Sequence, residues 1–283
     1  MGWCQHGSVG TPSPDEIKAG VVGVFDRAAA TYDQVGVEFF QPIGRFLVGR
    51  TDPQPGERVL DVGCGRGASA IPAAQAVGPT GSVLATDLAP SMVEEVRRAA
   101  NDLPWLRAEI GDAEQPQDGT FDIVQAGLLL FFLPSLDTAL ARYRDVLAVD
   151  GRFGFTWFGE PDARWEPVFA ALGADLPKDE RPSARTPEQG PFASVERMHD
   201  HLSAQGWTDV TTETLLHEVR VRDADHWFEW SWSHGYRSVL EKLEARDLLA
   251  AAHDRVGRLL VEMSARDGGL AWRAEVHATI AFP

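Results

Sequence analysis

The chain has 283 residues, of which 44% are hydrophobic and 24% charged, a composition ordinary for one large globular domain or a domain with a sizeable insertion. Its formal net charge of -16 creates a field that repels phosphate backbones and anionic membranes, so neither nucleic acid nor membrane is an expected partner. With only Cys4 and Cys64, no disulfide framework or Cys-based zinc site is expected, nor any metal.

Residues 1–14 are rich in Gly, Ser and Pro and read as a flexible tail without a signal-like pattern. No run approaches a membrane span, and the sparse cysteines lead us to expect a reducing, cytoplasmic location. From Asp15 a helical pattern begins, with Ile17, Val21, Val22 and Phe25 at helical spacing, and a second helix is predicted near Glu38 to Gly49. Residues 15–50 thus form an N-terminal helical segment.

Val59-Leu60-Asp61-Val62 predicts a short buried strand. It runs into a turn with glycine at alternate positions, Gly63, Gly65 and Gly67, where a ligand meets no Cβ. Gly63, Gly65 and Ala68 also satisfy a loose dinucleotide fingerprint. Asp61, two residues before the first glycine, suits a cationic ligand better than a pyrophosphate. This acidic-x-Gly-x-Gly-x-Gly run resembles motif I of the class I S-adenosylmethionine (SAM)-dependent methyltransferases. The resemblance implies an α/β fold, a doubly wound seven-stranded mostly parallel sheet with a helical cap, and SAM as cofactor. It places the glycine turn along the methionine and ribose of SAM, with Asp61 near the ammonium group. The segment Phe25-Asp26-Arg27-Ala28-Ala29-Ala30-Thr31-Tyr32-Asp33 resembles the F-D-x-x-A-x-x-Y-D motif of ubiquinone/menaquinone C-methyltransferase-like enzymes. That likeness implies a helix folded over the SAM pocket, with Tyr32 lining the site.

After the turn, an Ala-rich crossover helix is predicted to Val77. The strand Ser82 to Asp87 ends in an acid about twenty residues past the loop, the spacing of a carboxylate that grips ribose hydroxyls. Asp87 is read in that role, with Leu88 beside it. A helix follows from Pro90 to Ala100, with Glu94 and Arg98 paired outside. Past a strand near Leu106 to Ile110, Gly111-Asp112-Ala113 resembles the G-D-A motif of class I methyltransferases, which implies Asp112 and the Ala113 backbone at the adenine. Phe121 to Gln125 is the next strand, with Gln125 at the cofactor edge, and Ser135 is a candidate cap for the helix after it. Strand and helix alternate five times in this reading, and Gly63, Asp87, Asp112 and Gln125 all fall at carboxyl ends of strands, where such sheets bind ligands. The SAM-binding core is read as residues 51–158.

Residues 159–283 are read as lid, substrate cap and closing strands of the same domain. The lid, from Gly159 to Pro191, is proline-rich and shows little periodicity. A dense run, Trp227-Phe228-Glu229-Trp230-Ser231-Trp232-Ser233-His234, reads either as a cap over the sheet or as the wall of an apolar pocket. One helix from Tyr236 to Met263 and a strand from Leu270 to Phe282, antiparallel in the resembled fold, end the chain. His234, with an ordinary pKa near 6.5, is the candidate proton acceptor, Arg237 on the same helical face the candidate anion holder, and Tyr32 the candidate substrate-positioning group. The expected reaction is methylation of a small apolar or aromatic metabolite by a monomer or homodimer. C-methylation of an indole ring in a tryptophan-derived cyclic dipeptide leads, and O-methylation of a phenol or polyketide is the alternative. A nicotinamide-dependent oxidoreductase and a SAM-binding protein that transfers no methyl group are the readings from other classes.

Overall fold

A computed structural model describes residues 13–181 and 189–283. The expected tail falls almost wholly outside them, as does part of the segment read as a lid. Strands β1 (Arg58–Val62), β2 (Ser82–Asp87), β3 (Leu106–Ile110), β4 (Phe121–Gly127), β5 (Leu147–Phe158), β6 (Thr208–Val221) and β7 (Leu270–Phe282) form one sheet in the order β3-β2-β1-β4-β5-β7-β6. The first five are mutually parallel, and β7 runs antiparallel to both β5 and β6. This is the doubly wound, mostly parallel sheet expected from the motif series.

The chain adds β2 and β3 on one side of β1, then crosses back to lay β4 on the other. The resulting switch point between β1 and β4 opens a crevice at their carboxyl ends. Alternation along each strand sorts the core. Leu60, Val62, Val124, Ala126, Phe153 and Phe155 face Leu140 and Tyr143 of α5 (Leu136–Val146) and Leu202 of α7 (Val195–Ala204). On the opposite face, Val59, Val83, Ala85 and Ile123 meet the Ala-rich α3 (Ala70–Val77) and the apolar stripe of α4 (Pro90–Ala99). Each large side chain enclosed this way contributes on the order of 1.5–3 kcal/mol. The Glu94–Arg98 pair forms on the outer face of α4, 3.5 Å apart.

At the N-terminus, Ser13 and Glu16 form a reciprocal capping box with Pro14 in the first turn, which fixes where α1 (Pro14–Ala28) starts. Of the residues of α1 only Ala28 is buried, so the helix lies on the molecule rather than in it. α2 (Phe40–Thr51) runs alongside the glycine turn instead, with Ile43, Gly44 and Leu47 buried.

Four expectations need correction. No helix joins β3 to β4, because the loop carrying the Gly-Asp-Ala motif makes that crossover as coil, so strand and helix do not alternate throughout. Ser135 precedes α5 without a side-chain cap; its N–H is instead taken by Glu114 Oε1 at 2.5 Å. The closing helix is two, α9 (Arg237–Glu244) and α10 (Leu249–Asp267), broken where Asp247 adopts a φ of 59°. Part of the proline-rich segment is core, since α6 (Glu166–Leu172) buries Val168, Phe169 and Leu172 against α8 (Ala224–Trp232), α10 and β7.

Candidate functional site

The carboxyl ends of β1, β2, β3 and β4 bring Gly63, Asp87, Gly111 and Gly127 onto one cleft. Gly63, Gly65 and Gly67 have φ of 63°, 51° and 85°, which explains the repeated glycine, since side chains strain such backbone. They do different work. A Cβ on Gly63 would strike Leu129 at 2.6 Å, whereas one on Gly65 would lie 3.9 Å from the Tyr32 ring. Gly67 faces Ile71 and Val96 and is absent from the cleft wall, so it permits close helix packing rather than close ligand approach.

Asp87 accepts the Gly65 N–H at 2.9 Å and the Ala89 N–H at 2.8 Å, which leaves its carboxylate on the cleft wall with Leu88 beside it. Burial pushes its pKa up, and the two backbone bonds oppose the rise. Asp112 and Ala113 line the other end of the cleft.

Asp61 and Gln125 sit differently from their assignment. Both are fully enclosed under α2 and α3, and neither is on the cleft wall. Asp61 Oδ2 accepts from Ser69 Oγ at 2.7 Å and from Gln125 Nε2 at 3.1 Å, so Gln125 holds the acid and does not meet the cofactor edge itself. Burial pushes the Asp61 carboxyl up to about 7, against those two hydrogen bonds. Its other oxygen, Oδ1, is buried without a hydrogen-bond partner. An orphan acceptor behind a glycine turn, with carboxylates at neighbouring strand ends, is a donor-hungry set. It fits a ligand that carries an ammonium group, ribose hydroxyls and an exocyclic amine.

One wall residue has no sequence signal. Lys18 of α1 reaches Asp112 Oδ2 at 2.6 Å and also pairs with Glu114. Burial lowers the Lys18 pKa, but the bonds to both acids outweigh it and raise the value overall. Because α1 has so little buried surface, this bridge is one of its main tethers. Lys18→Ala is expected to speed amide exchange along residues 14–28 about tenfold while leaving β1 and β4 unchanged. Unchanged α1 protection in exchange mass spectrometry would show that the bridge does not hold the helix.

A second cavity of about 500 Å³ adjoins the first, walled by aromatic rings that include Phe39, Phe158, Trp230 and Trp272. Phe25, Tyr32, Leu128 and Phe132 line both spaces. Tyr32 stacks on Phe40 with ring centroids 4.1 Å apart, and burial raises its pKa well above the ordinary value. Leu128 holds a φ of 50°, strained for a branched side chain, with its N–H bonded to Thr156 Oγ1 at 3.0 Å. The tryptophan run divides between its two readings: Trp227 is buried core, and Trp230 faces the cavity.

His234 lines this cavity, and Arg237 does not. They share no helical face, because His234 lies in the turn between α8 and α9. The Arg237 side chain is spent on Trp232 O at 2.9 Å and on Glu241 at 3.5 Å, which leaves it unsuited to hold an anion in the cavity. Burial pushes His234 from 6.5 down to about 3, so the ring is neutral at pH 7 and too weak a base to take a proton there.

That shift has a thermodynamic consequence. Between pH 3 and 6.5 the unfolded chain protonates this histidine and the folded chain does not, so its contribution to stability is complete above 6.5 and lost as pH falls. Asp61, raised to about 7, acts with the opposite sign. Because Asp61 is common to wild type and His234→Phe, it cancels from their difference. The stability gap between them, from urea melts, should shift in favour of the variant by about 1.4 kcal/mol per pH unit below 6.5. A gap independent of pH would mean that the ring is accessible to protons.

Residues 59–151 match a family model described as a methyltransferase domain. Over 247 residues the chain is 36% identical to nocamycin O-methyltransferase of Saccharothrix syringae, covering 82% of this chain and 88% of that one. The chain belongs to the SAM-dependent methyltransferases. Aklanonic acid methyltransferase DauC of Streptomyces sp. strain C5 is 47% identical over 143 residues, 49% of this chain and 65% of that one. Phosphoethanolamine N-methyltransferase 2 of Haemonchus contortus, solved with S-adenosylhomocysteine, matches with a TM-score of 0.55 over 96% of this chain and 60% of that one. At 16% identity that likeness is one of fold. The methyltransferase is thus of the class I, natural-product branch with SAM as cofactor, and the nicotinamide-dependent reading is overturned. Among the described residues, no helix is long and apolar enough to cross a membrane.

Proposed function

We propose that this methyltransferase transfers the SAM methyl group to an acidic oxygen, a carboxylate or a low-pKa phenol or enol, on a flat multi-ring metabolite. The observation that carries the reading is the junction between the two cavities. Phe25, Tyr32, Leu128 and Phe132 line both spaces, and none of them carries a side chain able to accept a proton at neutral pH. Burial has also removed His234 as a base, and the carboxylates of the aromatic cavity, Glu160 and Glu275, line that cavity but not the junction. An oxygen already ionised in water needs no base, and its desolvation between aromatic walls raises its reactivity. The relatives point the same way, one named as an O-methyltransferase and one for an acid.

Bound SAM supplies an electrophilic methyl group. In the proposed arrangement Asp87 holds the ribose, Asp112 and Ala113 meet the adenine, and the Gly63 and Gly65 turn lies along the methionine. Asp61, kept in place by Ser69 and Gln125, compensates the ammonium group from behind the turn. Tyr32 and Leu128 orient the acceptor at the junction, and the rings beyond exclude water.

Methylation at an electron-rich ring carbon, such as an indole, is the second reading, because carbon attack also needs no base beforehand and the same aromatic walls suit the ring. Incubation with SAM and matched acceptors separates the two: a polycyclic aromatic carboxylate, a phenol of the same frame, and a tryptophan-derived cyclic dipeptide. Formation of S-adenosylhomocysteine with a methyl ester or aryl ether is expected. Turnover of the dipeptide alone, with carbon methylation by NMR, would move the assignment to carbon. Binding of SAM without methyl transfer to any of the three would overturn both readings of the acceptor.

A further inference from the structure

His234 is withdrawn as a base, and its burial still needs a reason. The ring is 7% exposed, with Trp230 at 4.6 Å and Tyr236 at 5.3 Å between centroids. Its Nδ1 accepts the Tyr236 N–H at 3.4 Å. A neutral imidazole that accepts at Nδ1 carries its hydrogen at Nε2. That Nε2 is enclosed and has no hydrogen-bond partner among the described residues, yet the residue lies on the wall of the aromatic cavity. An enclosed N–H without an acceptor is a standing cost; Nε2 itself has almost no open surface, so a turn of the ring toward the cavity is what would let an occupant relieve that cost.

We propose that the His234 Nε2–H donates to an uncharged acceptor oxygen, a ketone-type carbonyl set in the ring system of the substrate. The inference rests on reading the aromatic cavity as the acceptor site, and it adds a second anchoring point to that reading. A neutral donor among aromatic rings suits a neutral carbonyl. Arg237, the cation near His234 in the chain, is already held by Trp232 O and Glu241, and the charged residues that do line the cavity, Arg273, Glu160 and Glu275, include both signs. The carbonyl and the methylated oxygen are different atoms. Phe40 separates the two anchors, stacked on Tyr32 at 4.1 Å and meeting the His234 ring edge-on at 6.3 Å. A substrate that reaches from the Tyr32 junction to His234 therefore extends past the Phe40 ring, as a fused-ring frame does. His234 is in this sense a positioning and specificity-determining residue, with no proton to move.

Two probe pairs test this by equilibrium dialysis in the presence of S-adenosylhomocysteine: 9-fluorenone-2-carboxylate against fluorene-2-carboxylate, and xanthone-2-carboxylate against xanthene-2-carboxylate. Within each pair the frame is kept and only the carbonyl is removed. The wild-type protein is expected to prefer the ketone about tenfold in at least one pair, since the methylene analogue leaves the buried donor unsatisfied. His234→Leu should erase the preference by weakening ketone binding alone, and His234→Asn, which keeps an N–H donor, should retain part of it. Thermal melting and S-adenosylhomocysteine binding check that each variant is folded. Should the leucine variant fail to fold, the wild-type preference and its reduction in His234→Asn carry the test. No ketone preference in either pair, or a preference that survives in a folded His234→Leu, overturns the proposal. If none of the tricycles binds while S-adenosylhomocysteine does, the cavity is not the acceptor site, and the assignment under it fails first.

Discussion

Replacement of Asp87 by alanine is expected to weaken SAM and S-adenosylhomocysteine binding by roughly 100-fold, the loss of hydrogen bonds to a charged acceptor together with a distorted turn. The carboxylate ends β2 and spends one lone pair of each oxygen on a backbone N–H, from Gly65 at 2.9 Å and Ala89 at 2.8 Å. Those bonds fix the turn to the start of α4, so the acid shapes the cleft as well as facing it. The remaining lone pairs are available to ribose hydroxyls. Burial makes the charge costly in the free protein, and each new donor lowers that cost, so part of the binding energy comes from relieving it. Asp87→Asn should lie between alanine and wild type, because the amide oxygen can keep one N–H while the amide nitrogen repels the other. Isothermal titration gives the affinities, and urea melts without ligand separate the loosened turn from the lost contact. Affinity within threefold of wild type in Asp87→Ala would place the ribose elsewhere.

The residues legible in the sequence are those whose position follows from local pattern. Asp87 and Asp112 each close a predicted strand, and a parallel sheet delivers strand ends to one edge, so a correct order of elements is enough to gather them. Depth is another matter. Asp61 and Gln125 lie near the ends of the two adjacent strands β1 and β4, but a residue's place along a strand does not tell whether a neighbouring helix will cover it; α2 and α3 do, and both side chains end behind the site. Lys18 illustrates the opposite failure: a single lysine on an amphipathic helix reads as solvated, and its carboxylate partner is 94 residues away. His234 carries both lessons. Its presence beside the tryptophans is visible in the chain, whereas its acidity is set by burial among rings from α2, α8 and the turn into α9, which no local pattern encodes.

The contact that puts α2 in that covering position yields the second large effect. Gly44→Ala is expected to destabilise the fold by about 3 kcal/mol or more, the upper range for overpacking against rigid neighbours. A Cβ at Gly44 would lie 2.1 Å from Ala68 O, 2.3 Å from Ala68 C and 2.9 Å from Ser69 N. All three are backbone atoms of the link between the glycine turn and α3, so no side-chain rotation relieves the clash. Either α2 lifts away or the link moves, and Ser69 is the residue whose hydroxyl holds Asp61. Cofactor affinity should therefore fall along with stability, a pairing that a remote packing defect would not produce. Gly49 provides the control on the same helix: its Cβ would meet nothing within 4 Å. Gly49→Ala removes backbone freedom from the unfolded chain without a clash and should stabilise by up to about 1 kcal/mol. Urea midpoints for the two variants should thus move in opposite directions. If they move together, α2 does not approach the glycine turn closely enough to need the missing side chain, and the burial of Asp61 beneath it would have to arise in another way.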